Sequence, residues 1–407
     1  MIGRQRPYLR FRTFHGPAMT LPVTRPLLAI TLVRHPDFTA GQDMENRLMA
    51  HFTGDPDRAL GERLGVPVEQ RGPGTVPPDF DASEITAVVV LADAALAGDP
   101  AWVAWVEGVV AACDTPDLRT RPFLVCLDKR ALSMSAKVGR FNFLRWDQWE
   151  GGDEDKMQRM LTDLDYQCCR MLRAWISQRT ARNRACRDAF TEYLSNVQLF
   201  LSHSKHDADK TGETLATAIR NHLHHGSGYG SFFDVHDIPA GMPFDEVLMH
   251  NVRRSAFLAI LTDSYSSREW CRREVIEAKR TGVPMVVAHA VTDREERSFP
   301  YLGNVPVVRL EPGRTDRIPL VVGRLIREVL KDYLWQCRCV LARAAAKRGR
   351  VTFVPRTPEL MALTAVRRGS GLVVYPDPPM AEEEARLFNE VAPRVTLLSF
   401  TQWLARA

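Results

Sequence analysis

Apolar runs alternate with amphipathic segments along most of this chain. Continuously apolar runs predict buried strands, and apolar residues at every third or fourth position predict helices. In the first half the pattern predicts strands at 27–33, 85–91, 123–127 and 141–146, helices at 43–52, 101–112 and from Asp155 onward, and an irregular segment at 54–80. Strands that alternate with helices form a parallel sheet covered on both faces, so this half is predicted to be a three-layer α/β domain.

The same alternation returns after position 195. It predicts a strand at 256–261, helices from about Trp270 onward and at 318–341, and then strands at 351–354, 371–375 and 395–400 with helices at 358–366 and 381–391. The segment 351–407 is too short for an independent doubly wound domain. It either extends one of the two sheets or forms a small α/β cap on them.

Equivalent positions in the two halves lie at a nearly constant distance along the chain. The pairs are Leu32 and Phe200 (200 − 32 = 168), Glu45 and Glu213 (213 − 45 = 168), Asp93 and Asp263 (263 − 93 = 170), and Asp165 and Asp332 (332 − 165 = 167). Such an offset across four elements indicates that residues 25–175 are a degenerate copy of the domain that follows. An unrelated α/β domain with generic periodicity is the alternative.

The length of 407 residues suits two or three domains. Residues 1–24 contain four arginines and no acidic residue, which predicts a basic flexible arm. The remaining boundaries are an α/β domain at 25–175, a linker helix at 176–194, a second α/β domain at 195–341 and a C-terminal α/β extension at 342–407.

Composition excludes several classes of function. A net charge of +5 is mild for this length and gives no sign of a dedicated nucleic-acid site. No apolar run reaches the ~18 residues of a membrane span, and the N-terminus lacks a signal-peptide core, so a cytoplasmic protein is expected. Dinucleotide, Walker and serine-hydrolase motifs are absent from the sequence, which removes the usual support for hydride transfer, phosphoryl transfer and serine hydrolysis.

Cysteine and histidine spacing does not favour a metal site. The eight cysteines include no C-x-x-C pair and are predicted to be reduced core thiols. His222, His224 and His225 have no cysteine or carboxylate at ligand spacing, so they are interpreted as a helix end. No metal is expected.

One carboxylate on the helix near Trp270 differs from its neighbours. Glu269 and Glu277 each have arginines three and four positions away, which predicts surface ion pairs. At those spacings Glu274 has Trp270, Cys271, Glu277 and Ala278, none of which is a cation. A carboxylate placed beside an indole and a second carboxylate is typical of a group kept for chemistry.

Three motifs then occur in order. The set Ser267, Trp270, Cys271 and Glu274 resembles the catalytic helix of Toll/interleukin-receptor (TIR) domains that cleave NAD. Residues 199–207, Leu-Phe-Leu-Ser-His-Ser-Lys-His-Asp, resemble the first strand of that family and its loop. Residues 231–241, Ser-Phe-Phe-Asp-Val-His-Asp-Ile-Pro-Ala-Gly, resemble its second strand and BB loop. The resemblance covers about residues 195–335 and implies a flavodoxin-like parallel sheet.

The resemblance also implies roles for single residues. Glu274 would stabilise the oxocarbenium-like ribose as nicotinamide leaves, and Trp270 would wall the pocket. Ser267 would belong to the same substrate site. The loop residues Ser202, His203, Ser204 and Lys205 would line the nucleotide site, with His203 stacking or hydrogen-bonding. Lys205 would either meet a phosphate or stay a solvated charge.

The motif at residues 231–241 carries the other implied roles. Asp234 would hold a ribose hydroxyl or fix the loop. Asp237, Ile238, Pro239 and Gly241 would form the BB loop that gates the pocket and meets the next subunit.

The implied activity is that of an NAD+ glycohydrolase or ADP-ribosyl cyclase that serves as a bacterial immune or antiphage effector. NAD+ would be its substrate, no cofactor would be needed, and activation would come from homo-oligomeric TIR–TIR contacts or from an unknown protein or ligand. The alternative is a non-enzymatic signalling adaptor or scaffold. A third hypothesis is TIR-dependent nucleotide chemistry on nucleic acid. It is disfavoured because the sequence shows no concentrated basic face. In the first half, Val106 occupies the position of Glu274, which predicts a domain without chemistry.

Overall fold

The computed structural model describes residues 25–54, 63–180, 189–205, 207, 210–224, 230–232, 243–295, 298–345, 351–359 and 371–406. The predicted arm at 1–24 and the predicted BB loop lie outside these residues. The chain forms two compact units. The first unit holds the described residues up to Ser195 together with Gln336–Ala342, and the second holds those of Asn196–Trp335 and Arg343–Ala407.

The first unit is built on a five-stranded parallel sheet in the order β2-β1-β3-β4-β5. Its elements are β1 (Leu28–Arg34), α1 (Gly41–Thr53), β2 (Val68–Gln70), β3 (Ile85–Ala92), α2 (Ala94–Gly98), α3 (Pro100–Cys113), β4 (Thr120–Cys126), α4 (Ala136–Gly139), β5 (Phe143–Leu144), α5 (Asp153–Thr180) and α6 (Ala189–Leu194). Every residue of the central strand β3 is buried, as expected where helices cover both faces of a parallel sheet.

The segment 54–80, predicted to be irregular, contains the short strand β2. It pairs with β1 in parallel, with Ile30 opposite Val68. Its three residues include Glu69 and Gln70, both exposed, so this edge strand lacks the apolar run on which the prediction depended. The prediction was wrong at this point.

The second unit contains another five-stranded parallel sheet, in the order β10-β9-β8-β6-β7. Its elements are β6 (Gln198–Ser202), α7 (Thr211–His224), β7 (Gly230–Phe232), α8 (Phe244–Val252), β8 (Ala256–Leu261), α9 (Glu269–Thr281), β9 (Met285–His289), β10 (Val307–Arg309) and α10 (Ile318–Ala345). The central strand β8 is buried throughout. The predicted α/β class with flavodoxin-like parallel sheets is confirmed.

The two sheets have the same topology. If the five strands of each sheet are numbered in chain order, their spatial order is 2-1-3-4-5, which is the flavodoxin-like order. The register agrees as well. Leu32 lies opposite Val89 in the first sheet and Phe200 lies opposite Phe257 in the second, and both offsets are 168 (200 − 32 and 257 − 89). The matching register supports the inferred duplication.

The C-terminal segment forms a third parallel sheet in the order β11-β12-β13 and does not extend the larger sheets. Its elements are β11 (Val351–Phe353), β12 (Gly371–Tyr375), α11 (Glu382–Val391), β13 (Val395–Ser399) and α12 (Phe400–Leu404). Trp335 of α10 makes edge contacts with Phe353 and Phe400, at ring-centroid distances of 6.2 and 5.4 Å. Pro358 and Glu359 are not helical, and the rest of the predicted helix 358–366 lies outside the described residues.

The cysteines in the described residues are buried free thiols: Cys113, Cys126, Cys168, Cys169, Cys271, Cys337 and Cys339. Burial raises the pKa of the Cys113 thiol to about 12, which keeps it protonated at neutral pH. Among the described helices, none is both long and apolar enough to cross a bilayer.

Candidate functional site

The candidate site lies where the strand order of the second sheet reverses. From β6 the chain passes first to β7 on one side and then to β8 on the other. Ligands of open α/β sheets bind at the carboxyl ends of the strands beside such a switch point. Here β6 ends at Ser202, which lies opposite Ala259 of β8. The loop after β6 and the loop after β8 begin at these strand ends, and the second of these loops leads into α9.

Helix α9 brings Glu274 to this position. Its buried residues are Cys271, Glu274, Val275, Glu277 and Ala278, which form one face at helical spacing. The helix ends at Gly282, whose φ of 70° lies in the left-handed region and whose amide donates to the carbonyl of Ala278. Because α9 packs this face inward, Glu274 is 8% exposed although it is a carboxylate.

A line of three hydrogen-bonding groups holds Glu274. The hydroxyl of Ser202 donates to Oε2 of Glu274 at 2.5 Å. The hydroxyl oxygens of Ser202 and Tyr265 are 2.6 Å apart. Ser202 is 1% exposed and Tyr265 is fully buried. Ser202, predicted to line the nucleotide site, therefore contacts the candidate catalytic carboxylate itself.

Burial keeps the two groups beside Glu274 neutral. It raises the pKa of Tyr265 well above its ordinary value, and the negative charge of Glu274 acts in the same direction. Burial, followed by the charge of Glu274, also raises the pKa of the Cys271 thiol. The phenol is therefore a donor, and Cys271 is a neutral thiol whose Sγ lies 3.5 Å from the carbonyl oxygen of His203.

The loop after β6 is tied to the loop after β8 through Asp207. One carboxylate oxygen of Asp207 accepts hydrogen bonds from Thr262 at 3.0 Å and Ser264 at 2.5 Å, and the other accepts from the amide of Gly212 at 3.0 Å. The hydroxyls of Ser264 and Ser204 are 2.8 Å apart. Asp207 is the last residue of the motif at 199–207, and its role in joining the two loops has no signal in the sequence.

The other predicted residues of this loop differ in exposure. Ser204 is buried, His203 is partly buried, and Lys205 is exposed. Lys205 was predicted either to contact a phosphate or to stay a solvated charge, and its exposed position is compatible with each of these roles. The buried hydroxyl of Ser204 fixes the loop through Ser264.

Ser267 and Trp270 lie on either side of the start of α9. The hydroxyl of Ser267 donates to the carbonyl of Ser264 at 2.7 Å, which holds the 3₁₀ turn before the helix. Trp270 is 39% exposed and meets Phe244 edge-on at a centroid distance of 5.1 Å. The guanidinium of Arg273 lies 4.2 Å from the centroid of its ring. The exposed indole is one turn from Glu274.

Glu277 was predicted to form surface ion pairs with Arg273 and Arg280. It is instead buried, and it is held by Arg280 at 2.8 Å and by Arg253, the residue that directly follows α8. Arg253 lies 24 residues away along the chain, beyond the reach of helical spacing. The two neighbouring glutamates of α9 are thus held differently, Glu277 by cations and Glu274 by a serine.

Several predicted residues lie outside the described part of the chain: Asp234, Asp237, Ile238, Pro239 and Gly241. Their roles stay predictions. Of the histidines interpreted as a helix end, His222 and His224 belong to the last turn of α7, and His225 is outside the described residues. Within the described residues, no group of three histidine, cysteine or acidic side chains is placed to hold a metal ion.

The corresponding position of the first sheet is filled differently. Arg34 lies opposite Leu91, the register that Ser202 and Ala259 have in the second sheet. Its guanidinium donates to buried Glu45 at 2.7 Å and to Gln42 at 2.8 Å. Val106, the counterpart of Glu274, is fully buried. In the first unit, Arg34 and Val106 therefore occupy the positions that Ser202 and Glu274 occupy in the second unit.

Comparison with known proteins gives one family. Residues 199–318 match the family model described as TIR domain. No curated protein matches the sequence. Among solved structures, the glycotransferase of kitacinnamycin is similar at 13% identity over 79% of this chain and 97% of that chain, with a TM-score of 0.19. A TM-score of that size supports no conclusion about fold or function.

Proposed function

Because this chain is a TIR domain protein, with the domain at residues 199–318, we propose that it cleaves the bond between nicotinamide and ribose in NAD+. It would act as an NAD+ glycohydrolase or ADP-ribosyl cyclase in a bacterial immune response. The observation that carries the proposal is the buried carboxylate of Glu274, held by Ser202 at the strand ends beside the switch point.

The chemistry needs little acid catalysis. Nicotinamide in NAD+ is a pyridinium, and it leaves as a neutral molecule when the electrons of the glycosidic bond pass to its ring nitrogen. The positive charge then develops on the ribose, as in other glycoside cleavages. A fixed carboxylate beside that charge stabilises the transition state more than the ground state, which is the requirement for catalysis. Glu274 supplies this group.

Two outcomes for the ribose cation account for the two named activities. Attack by water gives ADP-ribose, whereas attack by a nucleophile of the same substrate gives a cyclic product. The exposed indole of Trp270, one turn before Glu274, would cover the reacting ribose and limit the access of water.

The decisive experiment incubates the purified full-length protein with NAD+ at several protein concentrations and resolves nicotinamide, ADP-ribose and cyclic products by chromatography. Glu274→Gln removes the charge with little change in shape, and a loss on the order of 10²-fold or more is expected. Glu269→Gln is the matched control, because Glu269 is an exposed glutamate in the first turn of the same helix. Its activity should be unchanged.

The alternative of an adaptor that acts only through TIR–TIR assembly gives a different result. The wild-type protein would then assemble without releasing nicotinamide, and Glu274→Gln would assemble equally well. Full activity in the Glu274→Gln protein would exclude the proposed role of the carboxylate.

A further inference from the structure

The hydroxyl of Tyr265 lies one hydrogen bond beyond the pair formed by Ser202 and Glu274. The distances along the line are 2.6 Å from Tyr265 to Ser202 and 2.5 Å from Ser202 to Glu274. All three residues are buried, and they come from the 3₁₀ turn after β8, the end of β6 and the inner face of α9. Three separate elements thus meet at one carboxylate.

The order of donors along this line is fixed by elementary chemistry. An ionised carboxylate only accepts hydrogen bonds, so the single hydroxyl proton of Ser202 points to Glu274. The oxygen of Ser202 must then accept from Tyr265. Burial raises the pKa of Tyr265, so its phenol keeps the proton that this arrangement needs. The direction of donation is from Tyr265 to Ser202 to Glu274.

Such a line has two effects on the carboxylate. A serine hydroxyl that accepts a hydrogen bond becomes a stronger donor, because hydrogen bonds in a chain polarise one another. The stronger donor favours the ionised carboxylate against the cost of burial. The phenol also restricts the rotation of the Ser202 hydroxyl further, because donation from Tyr265 favours the rotamer whose proton points to Glu274.

We propose that Tyr265 is a positioning residue that acts through Ser202 to keep Glu274 ionised and correctly directed for the cleavage of NAD+. This inference rests on the proposed function. In the contacts described above, Tyr265 reaches the carboxylate through the hydroxyl of Ser202, so its proposed effect depends on Ser202 being present. Tyr265 belongs to none of the three motifs that carry the resemblance.

A purely structural tyrosine is the competing explanation, since Tyr265 also packs in the core with Val252, Phe257 and Val275. Tyr265→Phe separates the two, because it keeps the ring and removes only the hydroxyl. Tyr375→Phe is the matched control: Tyr375 is 2% exposed, and its hydroxyl accepts a hydrogen bond from the amide of Met380 in the C-terminal sheet. This hydrogen bond lies within the C-terminal segment and involves none of the residues of the candidate site.

The first readout is kinetic. Tyr265→Phe should lower kcat about 5- to 10-fold with KM nearly unchanged, and the acidic limb of its pH profile should move to higher pH. Ser202→Ala should lower kcat by more. In the Ser202→Ala background the additional loss caused by Tyr265→Phe should vanish, because the connecting hydroxyl is gone. An equal loss in both backgrounds would overturn the proposal.

The second readout needs no NAD+. Glutamate labelled with ¹³C at its carboxyl carbon allows the titration of Glu274 to be followed by NMR, with the signal assigned by its loss in Glu274→Gln. Tyr265→Phe should raise the pKa of Glu274, and Tyr375→Phe should leave it unchanged. If the wild-type protein releases no nicotinamide, the proposed function is wrong, but this result does not test the effect of Tyr265 on Glu274. An unchanged Glu274 titration in Tyr265→Phe would overturn the positioning role whatever the activity.

Discussion

The ammonium group of Lys279, near the end of α9, donates a hydrogen bond to the carboxylate of Glu359 in the C-terminal segment at 2.7 Å. Two further contacts join the same regions. Arg356 donates to the carbonyl of Val283 at 2.7 Å, and a Cβ on Gly282 would lie 2.4 Å from a side-chain carbon of Pro355. The C-terminal segment thus fastens the end of the helix that carries Glu274.

The first prediction concerns this fastening. The side chain of Lys279 is 7% exposed, and burial lowers its pKa even though Glu359 acts against that change. Glu359→Gln leaves the ammonium buried without its carboxylate, so the protein should lose about 1–2 kcal/mol of unfolding free energy. Lys279→Met removes the buried charge itself and should cost less. Thermal and urea unfolding measure both, and an equal or larger loss in Lys279→Met would contradict the argument.

The second prediction is a pH dependence at Glu277. Burial alone would raise the pKa of Glu277, but hydrogen bonds from Arg280 and Arg253 outweigh it and hold the pKa below its usual value. A depressed folded-state pKa contributes stability above the unfolded-state value, and this contribution is lost as the pH falls through the folded-state value. Glu277→Gln should therefore cost about 1 kcal/mol at pH 7.

The measurement compares the wild type with Glu277→Gln by urea unfolding between pH 7 and pH 3. The difference in unfolding free energy between the two proteins should decrease below about pH 4.5, where carboxylates begin to protonate. Glu269→Gln serves again as the exposed control and should show no such trend. A gap that widens in acid would mean that the arginines do not stabilise the charged form.

The third prediction is the number of NAD+ sites. In the first sheet Arg34 and Glu45 fill the position that Ser202 occupies in the second, and Val106 replaces the carboxylate. A Glu274→Gln protein, which should bind NAD+ without consuming it, is expected to bind one molecule per chain in titration calorimetry. A stoichiometry of two would show that the first unit has kept a binding site.

The fourth prediction is activation by assembly, and it rests on the resemblance of residues 237–241 to the BB loop. Head-to-tail contacts through such a loop build rings or filaments, so specific activity should rise steeply with protein concentration. Replacing Gly241 with valine should remove that rise and leave the fold intact. Sedimentation and turnover over a hundredfold dilution series test this together. Constant specific activity in a strictly monomeric sample is the opposing result.

The sequence predicted the buried strands β1, β3 and β8 because long apolar runs mark them, and it predicted β6 through the resemblance of residues 199–207 to the first strand of the TIR family. It also identified Glu274, since the positions around it on the helix are visible in the sequence. The contacts of the carboxylate could not be found in this way. Ser202 lies 72 residues from Glu274, and Tyr265 lies 63 residues from Ser202. No local spacing links them, and only the pairing of β6 with β8 brings them together.

A weaker signal for Tyr265 was present. It is the one large side chain in the run of small polar residues 262–267, directly after a buried strand. The sequence contains no comparable signal for the short strand β2 or for the ion pair between Glu277 and Arg253, because both depend on neighbours that are distant in sequence. Local pattern thus specified the scaffold, and tertiary pairing specified how its carboxylates are held.

The Val106 and Glu274 positions show what it costs such a scaffold to keep a reactive group. The two side chains occupy matching positions of helices α3 and α9, in two units with the same strand order, and one is aliphatic while the other is a carboxylate that must be compensated by hydrogen bonds. A chain with two copies can divide the opposing demands of selection between them. If the first unit is a copy without chemistry, as proposed, it is free to accumulate stabilising changes, while the second unit keeps the buried carboxylate that the proposed activity requires. Mutational tolerance should therefore be unequal in the two halves, although their architecture is the same.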